Sequence, residues 1–308
     1  MASFKGRSII SMRDFTRDEI MHVLEIARKM DENPQKYLHS LEGKLMATLF
    51  FEPSTRTRLS FESAMIRLGG KVMGFADPGS TSTKKGESLA DSIKIVESYS
   101  DLIVMRHPVA GSARLASEIA KIPILNGGDG ANQHPSQTFL DLYTIQKEKG
   151  RLENLKVGFM GDLKYGRTVH SLAHALGRFG CDMHFVSPKG LEMPGDLLQE
   201  LTNMGVTYRE HANYDEIKGS LEILYVTRIQ RERFGTELDY DKVREGYNLS
   251  KSFLQGCNPD LKILHPLPRV DELSVDVDST PYAVYFRQAA NGIPTRMALI
   301  SLVMGVKK

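Results

Sequence analysis

The chain has 308 residues, of which 41% are hydrophobic and 25% charged, and its formal net charge is +2. This length favours two domains, and the composition is that of an ordinary globular protein. The near-neutral charge gives no general attraction to nucleic acid or to an acidic membrane, and no apolar run approaches the ~20 residues that a bilayer span requires, so neither partner is expected.

Strand and helix patterns alternate along the first half of the chain. Thr16 and Glu19 form a capping-box pattern that opens a helix through Met30. A long helix is predicted from Ser136 to Lys149, because its apolar residues recur on one side. The other predicted elements of this half are strands at 44–51, 71–75, 101–105 and 122–125 and helices at 55–68, 87–99 and 112–120.

A second alternating set begins at Lys156. Its predicted elements are strands at 156–161, 183–187, 206–209, 222–226 and 262–264 and helices at 167–179, 194–204 and 290–304. Such alternation predicts an α/β protein with two domains, each a parallel β-sheet flanked by helices. We place the first domain at 1–149 and the second at 150–288, with a C-terminal helix at 289–308 that packs back on the first domain.

Polar and cationic side chains follow most of the predicted strands. In open α/β sheets, ligands bind at the carboxyl ends of the strands, so these residues are the candidates for a site. They lie in segments 52–58, 106–108, 126–137, 161–167, 227–230 and 265–269. The pattern predicts an active site in the cleft between the two domains.

The most informative segment is Phe51-Glu-Pro-Ser-Thr-Arg-Thr-Arg58, which lies between a predicted strand and a predicted helix. A helix N-terminus carries unpaired N–H groups and a partial positive charge. Hydroxyl and guanidinium groups crowd the same turn, and both hydrogen-bond phosphate oxygens well. Ser54 or Thr55 alone could be an N-cap and Arg58 alone a solvated charge, but the whole cluster predicts an anion site. Glu52 is an unexpected neighbour for it.

Other motifs indicate no cofactor. The segment Gly158–Gly166 departs from the G-x-G-x-x-G pattern and is followed by Arg167, so we expect no dinucleotide. His134 lies in a Gly-rich polar loop. From the residues alone, it can be either a packed residue or a functional one. Lys85 belongs to a polar loop, and its simplest interpretation is a charged residue exposed to solvent. We expect no metal site, because His170, His174 and His184 lack a common geometry with carboxylates and the two cysteines, Cys181 and Cys257, lack ligand spacing. The cysteines are expected to be free thiols in the cytoplasm.

Several motifs resemble the transcarbamoylase family. Residues 51–58, Met105-Arg-His-Pro108 and His134-Pro-Ser-Gln137 match its carbamoyl-phosphate signatures. Segments 161–170, 227–230 and 265–271 resemble the catalytic chains of the aspartate transcarbamoylases, whereas the ornithine enzymes carry a Cys where this chain has Pro266. The resemblance runs from about residue 5 to the C-terminus.

The resemblance implies the transfer of a carbamoyl group from carbamoyl phosphate to L-aspartate, the committed step of pyrimidine synthesis, without a cofactor. It assigns catalytic roles to Arg56, Thr57, Lys85, Arg106 and His134. It assigns binding of the phosphate and of the carbamoyl oxygen to Ser54, Thr55, Arg56, Thr57, Arg106 and His134. It assigns the carbamoyl amide to Gln137 and to the backbone of Pro266 and Leu267, and aspartate to Arg167, Arg228 and Gln230.

The family resemblance also implies a homotrimer with shared active sites. Ser82 and Lys85 are expected to reach the neighbouring site, and Ser82 is favoured over Ser80 and Thr81. A separate zinc-containing regulatory chain is a further possible partner, because segment 111–118 resembles the surface that binds it. A transcarbamoylase that uses another amine, and a phosphate-sensing or scaffolding protein without turnover, remain the two alternatives.

Overall fold

The structure, a computed structural model, describes residues 3–77, 79, 85–229 and 247–306. The chain divides into two compact units, Met1–Tyr143 with Ala290–Lys308, and Thr144–Ala289. Each unit contains one parallel sheet, which confirms the predicted fold class. In the described part of the chain, no helix combines the length and the hydropathy needed to cross a membrane.

The first unit is built on a four-stranded sheet in the order β2-β1-β3-β4. Its strands are β1 (Leu45–Phe50), β2 (Lys71–Phe75), β3 (Leu102–His107) and β4 (Ile124–Asp129). The helices of this half are α1 (Arg17–Glu32), α2 (Thr55–Arg67), α3 (Leu89–Glu97), α4 (Ser112–Ile119) and α5 (Pro135–Lys149). The predicted capping box is confirmed, because the Thr16 hydroxyl accepts the Glu19 amide at 3.3 Å and Glu19 accepts the Thr16 amide at 2.9 Å.

The second unit is built on a five-stranded sheet in the order β7-β6-β5-β8-β9. Its strands are β5 (Lys156–Met160), β6 (Asp182–Val186), β7 (Tyr208–His211), β8 (Ile223–Val226) and β9 (Lys262–Leu264). The later helices are α6 (Arg167–Gly177), α7 (Gly195–Asn203), α8 (Tyr285–Ala290) and α9 (Gly292–Met304). Except for the edge strand β7, the strands are rich in buried aliphatic and aromatic residues, as expected for a parallel sheet covered on both faces.

The C-terminal segment differs from its prediction in one respect. We predicted one helix at 290–304, but the structure has two helices, α8 and α9, separated at Asn291. The apolar run that supported the prediction belongs to α9 alone, whose residues 294–303 are all buried. Helix α9 packs against α1 and α2 in the first unit.

Helix α5 is buried more completely than its apolar pattern predicts. Residues 135–145 are all buried, on every side of the helix. The predicted apolar residues are buried there, and so are the polar residues Thr138, Asp141 and Thr144. Buried polar groups require partners, so these side chains indicate specific contacts rather than a solvated face. The division between the two units falls within this helix.

Candidate active site

The carboxyl ends of β1, β3 and β4 are neighbours in the sheet of the first unit, and the predicted anion site lies at the first of them. Ser54 is the N-cap residue of α2, with extended backbone, and Thr55 begins the helix. The Ser54 side chain makes no capping hydrogen bond. The simple N-cap reading of Ser54 therefore fails, and the first N–H groups of α2 keep their capacity to bind an anion.

The two arginines of this turn differ in their partners. Arg58 lies 3.7 Å from Glu62 one turn further along the helix. Arg56 is exposed, yet burial of part of its guanidinium lowers its pKa, and no carboxylate of the described residues offsets that effect. Arg56 is thus the cation of the pair that an external anion would stabilise.

Arg106 is held at the end of β3 by a change of register. The β3–β4 pairing shifts between Met105 and His107, a bulge that re-aims the intervening side chain. The Arg106 guanidinium donates to Glu52 Oε1 at 2.5 Å and to the Gly127 carbonyl at 3.3 Å. Glu52, the unexpected neighbour in the sequence, therefore orients one of the predicted phosphate ligands.

His134 lies next to the anion turn. It is 4% exposed, and its Nε2 lies 3.5 Å from the hydroxyl of Thr57, which is also buried. On its other side, Nδ1 lies 3.4 Å from the Ser136 hydroxyl. Thr57 also approaches Gly127, where a Cβ would lie 3.4 Å from the Thr57 methyl. The structure therefore brings together four of the predicted residues, Ser54, Thr57, Arg106 and His134.

Gln137 occupies the first turn of α5, three residues after His134. Its amide nitrogen donates to Asp141 Oδ1 at 2.9 Å, one turn further along the helix. Both side chains are buried.

The second unit carries the other predicted binding residues at three neighbouring strand ends. Arg167 is the first residue of α6, after β5, and Arg228 follows β8 by two residues; both are half-buried. Asp162 shapes the loop before α6, because its carboxylate accepts the amides of Lys164 at 3.1 Å and Tyr165 at 2.9 Å. The strands β5, β8 and β9 are adjacent, so Arg167, Arg228 and the segment after β9 share one edge of the sheet.

Gly161 is the point at which the loops after β5 and β8 meet. Its φ is +119°, and a Cβ there would lie 2.3 Å from the Thr227 carbonyl oxygen. We expect Gly161→Ala to lower the free energy of unfolding by about 1–3 kcal/mol, because the positive φ and the clash with the Thr227 carbonyl both destabilise the folded state. Urea unfolding measures this change. Gly190→Ala is the matched control, with φ +89° but no atom within 4 Å. Equal losses in the two variants would mean that the close approach contributes nothing.

The loop after β9 is fixed by a buried pair. His265 Nδ1 accepts the Leu267 amide at 2.8 Å, and its Nε2 lies 2.7 Å from Glu272 Oε1. Burial raises the pKa of Glu272, but the hydrogen bond and charge of His265 outweigh it and leave the pKa below its usual value. Leu267 has φ +55°, which a bulky residue adopts only where surrounding contacts impose it. The pair therefore holds Pro266 and Leu267 in a conformation that the chain alone would avoid.

Lys85 is exposed. Ser82, with the alternatives Ser80 and Thr81, and Gln230 lie outside the described residues. Within the described ranges, no group of three or more His, Cys, Asp or Glu side chains is arranged to hold a metal ion.

Three carboxylates of the site regions were missed as supporting residues: Asp141, Asp162 and Glu272. Asp162 lies within segment 161–170 and Glu272 directly follows segment 265–271, the two segments that resemble aspartate transcarbamoylase motifs. The signal that was available for Asp141 was its place between the apolar residues Leu140 and Leu142, in a helix predicted to have one apolar side.

Comparison with known proteins shows similarity over almost the whole chain. Residues 7–147 match the model of the aspartate/ornithine carbamoyltransferase carbamoyl-P binding domain, and residues 153–303 match that of the Asp/Orn binding domain. An aspartate carbamoyltransferase catalytic subunit from Thermococcus onnurineus (strain NA1) is 55% identical over 305 residues, which cover 98% of each chain.

Solved structures give the same result. The catalytic subunit of M. jannaschii aspartate transcarbamoylase superposes with a TM-score of 0.92 at 50% identity, covering 97% of this chain and 98% of that one. Aspartate transcarbamoylase from Trypanosoma cruzi, in complex with carbamoyl phosphate and aspartate, has a TM-score of 0.92 at 39% identity, covering 98% of this chain and 96% of that one.

Proposed function

The chain belongs to the aspartate/ornithine carbamoyltransferase family, and we infer from this that it transfers the carbamoyl group of carbamoyl phosphate to the amine of L-aspartate. The products are N-carbamoyl-L-aspartate and phosphate, and the reaction belongs to pyrimidine biosynthesis. The family includes enzymes for aspartate and for ornithine. We infer aspartate as the amine substrate because the chain is at least 50% identical, over almost its whole length, to aspartate carbamoyltransferase catalytic subunits.

The residues of the first unit suit the carbamoyl phosphate half of this reaction. We propose that Ser54, Thr55, Arg56 and Thr57 bind the phosphate at the N-terminus of α2. Attack on the carbamoyl carbon places negative charge on the carbamoyl oxygen and then on the leaving phosphate. Cations and donors that are already in position stabilise that charge without reorganisation. Arg106 and His134 are the groups proposed to face the carbamoyl oxygen. When carbamoyl phosphate binds, the Arg106 guanidinium releases its hydrogen bond to Glu52 and donates to the substrate instead.

The residues of the second unit suit the aspartate half. L-Aspartate carries two carboxylates, and guanidinium groups bind carboxylates through paired charge-assisted hydrogen bonds. We propose that Arg167 and Arg228 bind these carboxylates, with Gln230 as a further ligand. The backbone at Pro266 and Leu267 is proposed to accept hydrogen bonds from the carbamoyl amide. No side-chain base is needed, because the departing phosphate can take the proton of the amine.

An amine panel tests the inferred function. The purified chain is incubated with carbamoyl phosphate and, separately, L-aspartate, L-ornithine or succinylornithine, and each carbamoylated product is measured. We expect product with L-aspartate and at most trace product with the other two. Preferred carbamoylation of ornithine or succinylornithine would mean that the second unit binds that amine rather than L-aspartate. The absence of any carbamoylated product would favour a phosphate-sensing or scaffolding protein.

We also propose that the chain forms a homotrimer in which Lys85, with Ser82, completes the neighbouring site. Lys85→Ala and His134→Ala would then damage different contributors to one site. A closed ring that contains both chain types has one junction at which both contributors are intact. We expect the two inactive variants, dissociated together and reassembled, to regain up to roughly a third of parental activity per mixed trimer.

A matched control keeps that experiment specific. Arg106→Ala replaces Lys85→Ala in the mixture, because Arg106 and His134 are proposed to act within the same chain. This control mixture should stay inactive. Mixed Lys85→Ala and His134→Ala trimers that also stay inactive, although hybrid assembly is confirmed by mass, would mean that Lys85 acts within its own chain or is only a solvated loop charge.

A cytoplasmic location and a zinc-containing regulatory partner are proposals of the same kind. The segment that would bind the partner includes α4, on which Leu115 is 48% exposed. Sizing of the chain mixed with a zinc-loaded regulatory chain of an aspartate carbamoyltransferase tests the second proposal. Separate elution at micromolar concentrations would remove it.

A further inference from the structure

We propose that Asp141 is a positioning residue that sets the orientation of the Gln137 side-chain amide, so that the Gln137 carbonyl oxygen faces the carbamoyl NH₂ group of the substrate. This inference rests on the proposed function. Its starting point is the hydrogen bond of 2.9 Å from Gln137 Nε2 to Asp141 Oδ1.

The two ends of a glutamine amide are similar in shape but opposite in hydrogen bonding. The NH₂ end donates and the carbonyl end accepts. An ionised carboxylate only accepts, so the group that faces Asp141 must be the NH₂ end, and the carbonyl oxygen of Gln137 must point elsewhere. A carbamoyl NH₂ group only donates. Its partner must therefore be the carbonyl end of Gln137, and the reverse orientation would bring two donors together.

Asp141 is a carboxylate that the fold keeps in place. Its side chain is fully buried on α5, where an unpaired charge would be costly. Arg296 of α9 is the balancing cation, and it is only 3% exposed. Burial lowers the pKa of Arg296 to about 10, and the charge of Asp141 opposes that change. The guanidinium is therefore still charged at neutral pH, and it favours the acceptor form of Asp141.

The surroundings of Arg296 fix its side chain. The guanidinium carbon lies 4.9 Å from the centre of the Phe61 ring, on the helix that begins with the anion turn. A Cβ at Gly292 would lie 2.2 Å from Arg296 Nη1, so glycine leaves the space that the guanidinium occupies. Phe61, Asp141 and Arg296 are thus buried side chains that α2, α5 and α9 contribute around this charge.

Two phosphonates that differ in one group test this inference. Phosphonoacetamide carries the NH₂ group of carbamoyl phosphate, and acetonylphosphonate has a methyl group in its place. Calorimetric titration gives a dissociation constant for each. We expect the parent protein to bind phosphonoacetamide about three- to tenfold more tightly than acetonylphosphonate, the usual worth of one neutral hydrogen bond.

Asp141→Asn should lower this discrimination. Asparagine can donate or accept, so Gln137 can then adopt either orientation, and the ratio of the two dissociation constants should fall to the part that the backbone at Pro266 and Leu267 contributes. Gln137→Ala should give the same ratio, and the double variant should lower it no further. General damage to the site would weaken both ligands equally and leave the ratio unchanged. A parental ratio in Asp141→Asn would overturn the inference.

Two further variants complete the experiment. Asp31→Asn is the matched control, because Asp31, on α1, accepts the hydroxyl of Tyr143 at 2.8 Å and so contacts α5 further along the helix than Gln137. Its ratio should be parental. If Asp141→Asn folds poorly because Arg296 is left unbalanced, Asp141→Asn with Arg296→Met removes both charges and should lower the ratio to the same extent. A parent protein that binds neither phosphonate would contradict the proposed function itself.

Discussion

Arg56→Ala is expected to lower kcat by ~10²–10³, the usual effect of removing one donor that stabilises developing charge. The guanidinium stands on the first turn of α2, partly buried and without an offsetting carboxylate among the described residues. The leaving phosphate gains charge as its bond to carbon breaks, so the loss should fall on the transition state more than on substrate binding. Steady-state kinetics with both substrates at saturation measure it.

Arg58→Ala is the control for that variant. The residue lies on the same helix two positions later, but its guanidinium is 3.7 Å from Glu62. Removing such a surface pair should change stability by less than about 1 kcal/mol and leave kcat near the parental value. If Arg56→Ala stayed within about threefold of the parent while melting normally, Arg56 would not contact the reacting phosphate.

Arg228→Ala is expected to raise the KM for L-aspartate by about 10- to 100-fold, which corresponds to the loss of charge-assisted hydrogen bonds to one carboxylate. Affinity for carbamoyl phosphate should change little, because Arg228 follows β8 in the second unit whereas the anion turn belongs to the first. Steady-state kinetics measure the first quantity, and calorimetric titration with carbamoyl phosphate measures the second.

Arg209→Ala provides the comparison for Arg228→Ala. Arg209 lies in the same unit on β7 and pairs with Asp182 at 3.1 Å on the exposed surface. It should leave both the KM for aspartate and the affinity for carbamoyl phosphate unchanged. A large loss of carbamoyl phosphate affinity in Arg228→Ala alone would mean that the two substrates are assigned to the wrong units.

The sequence predicts the sheets well because parallel strands are short apolar runs with local signals. The strands at 71–75 and 262–264 have the predicted bounds, and the others differ by a few residues. The helix α8 was missed because six residues form fewer than two turns, too few for a period to be recognised. The shift in the β3–β4 register at Arg106 depends on pairing between strands and has no local pattern.

The site divides in the same way. Residues that would contact substrate lie in short motifs at strand ends, so the sequence exposes them as clusters. The residues that hold them do not. Glu52 accepts a hydrogen bond from Arg106, which follows it by 54 positions in the chain. The charge of Asp141 is balanced by Arg296 on the last helix. Such partners are determined by packing across the fold, which a motif does not contain.

The transfer itself is tested most directly with carbamoyl phosphate labelled with ¹³C at the carbamoyl carbon. The label is followed by NMR after addition of L-aspartate, and released phosphate is measured in the same samples. We predict that the label appears in N-carbamoyl-L-aspartate, with one phosphate released per carbamoyl group transferred and with release dependent on L-aspartate. Release of phosphate at the same rate without L-aspartate, or no label in the carbamoylated amino acid, would contradict carbamoyl transfer to aspartate.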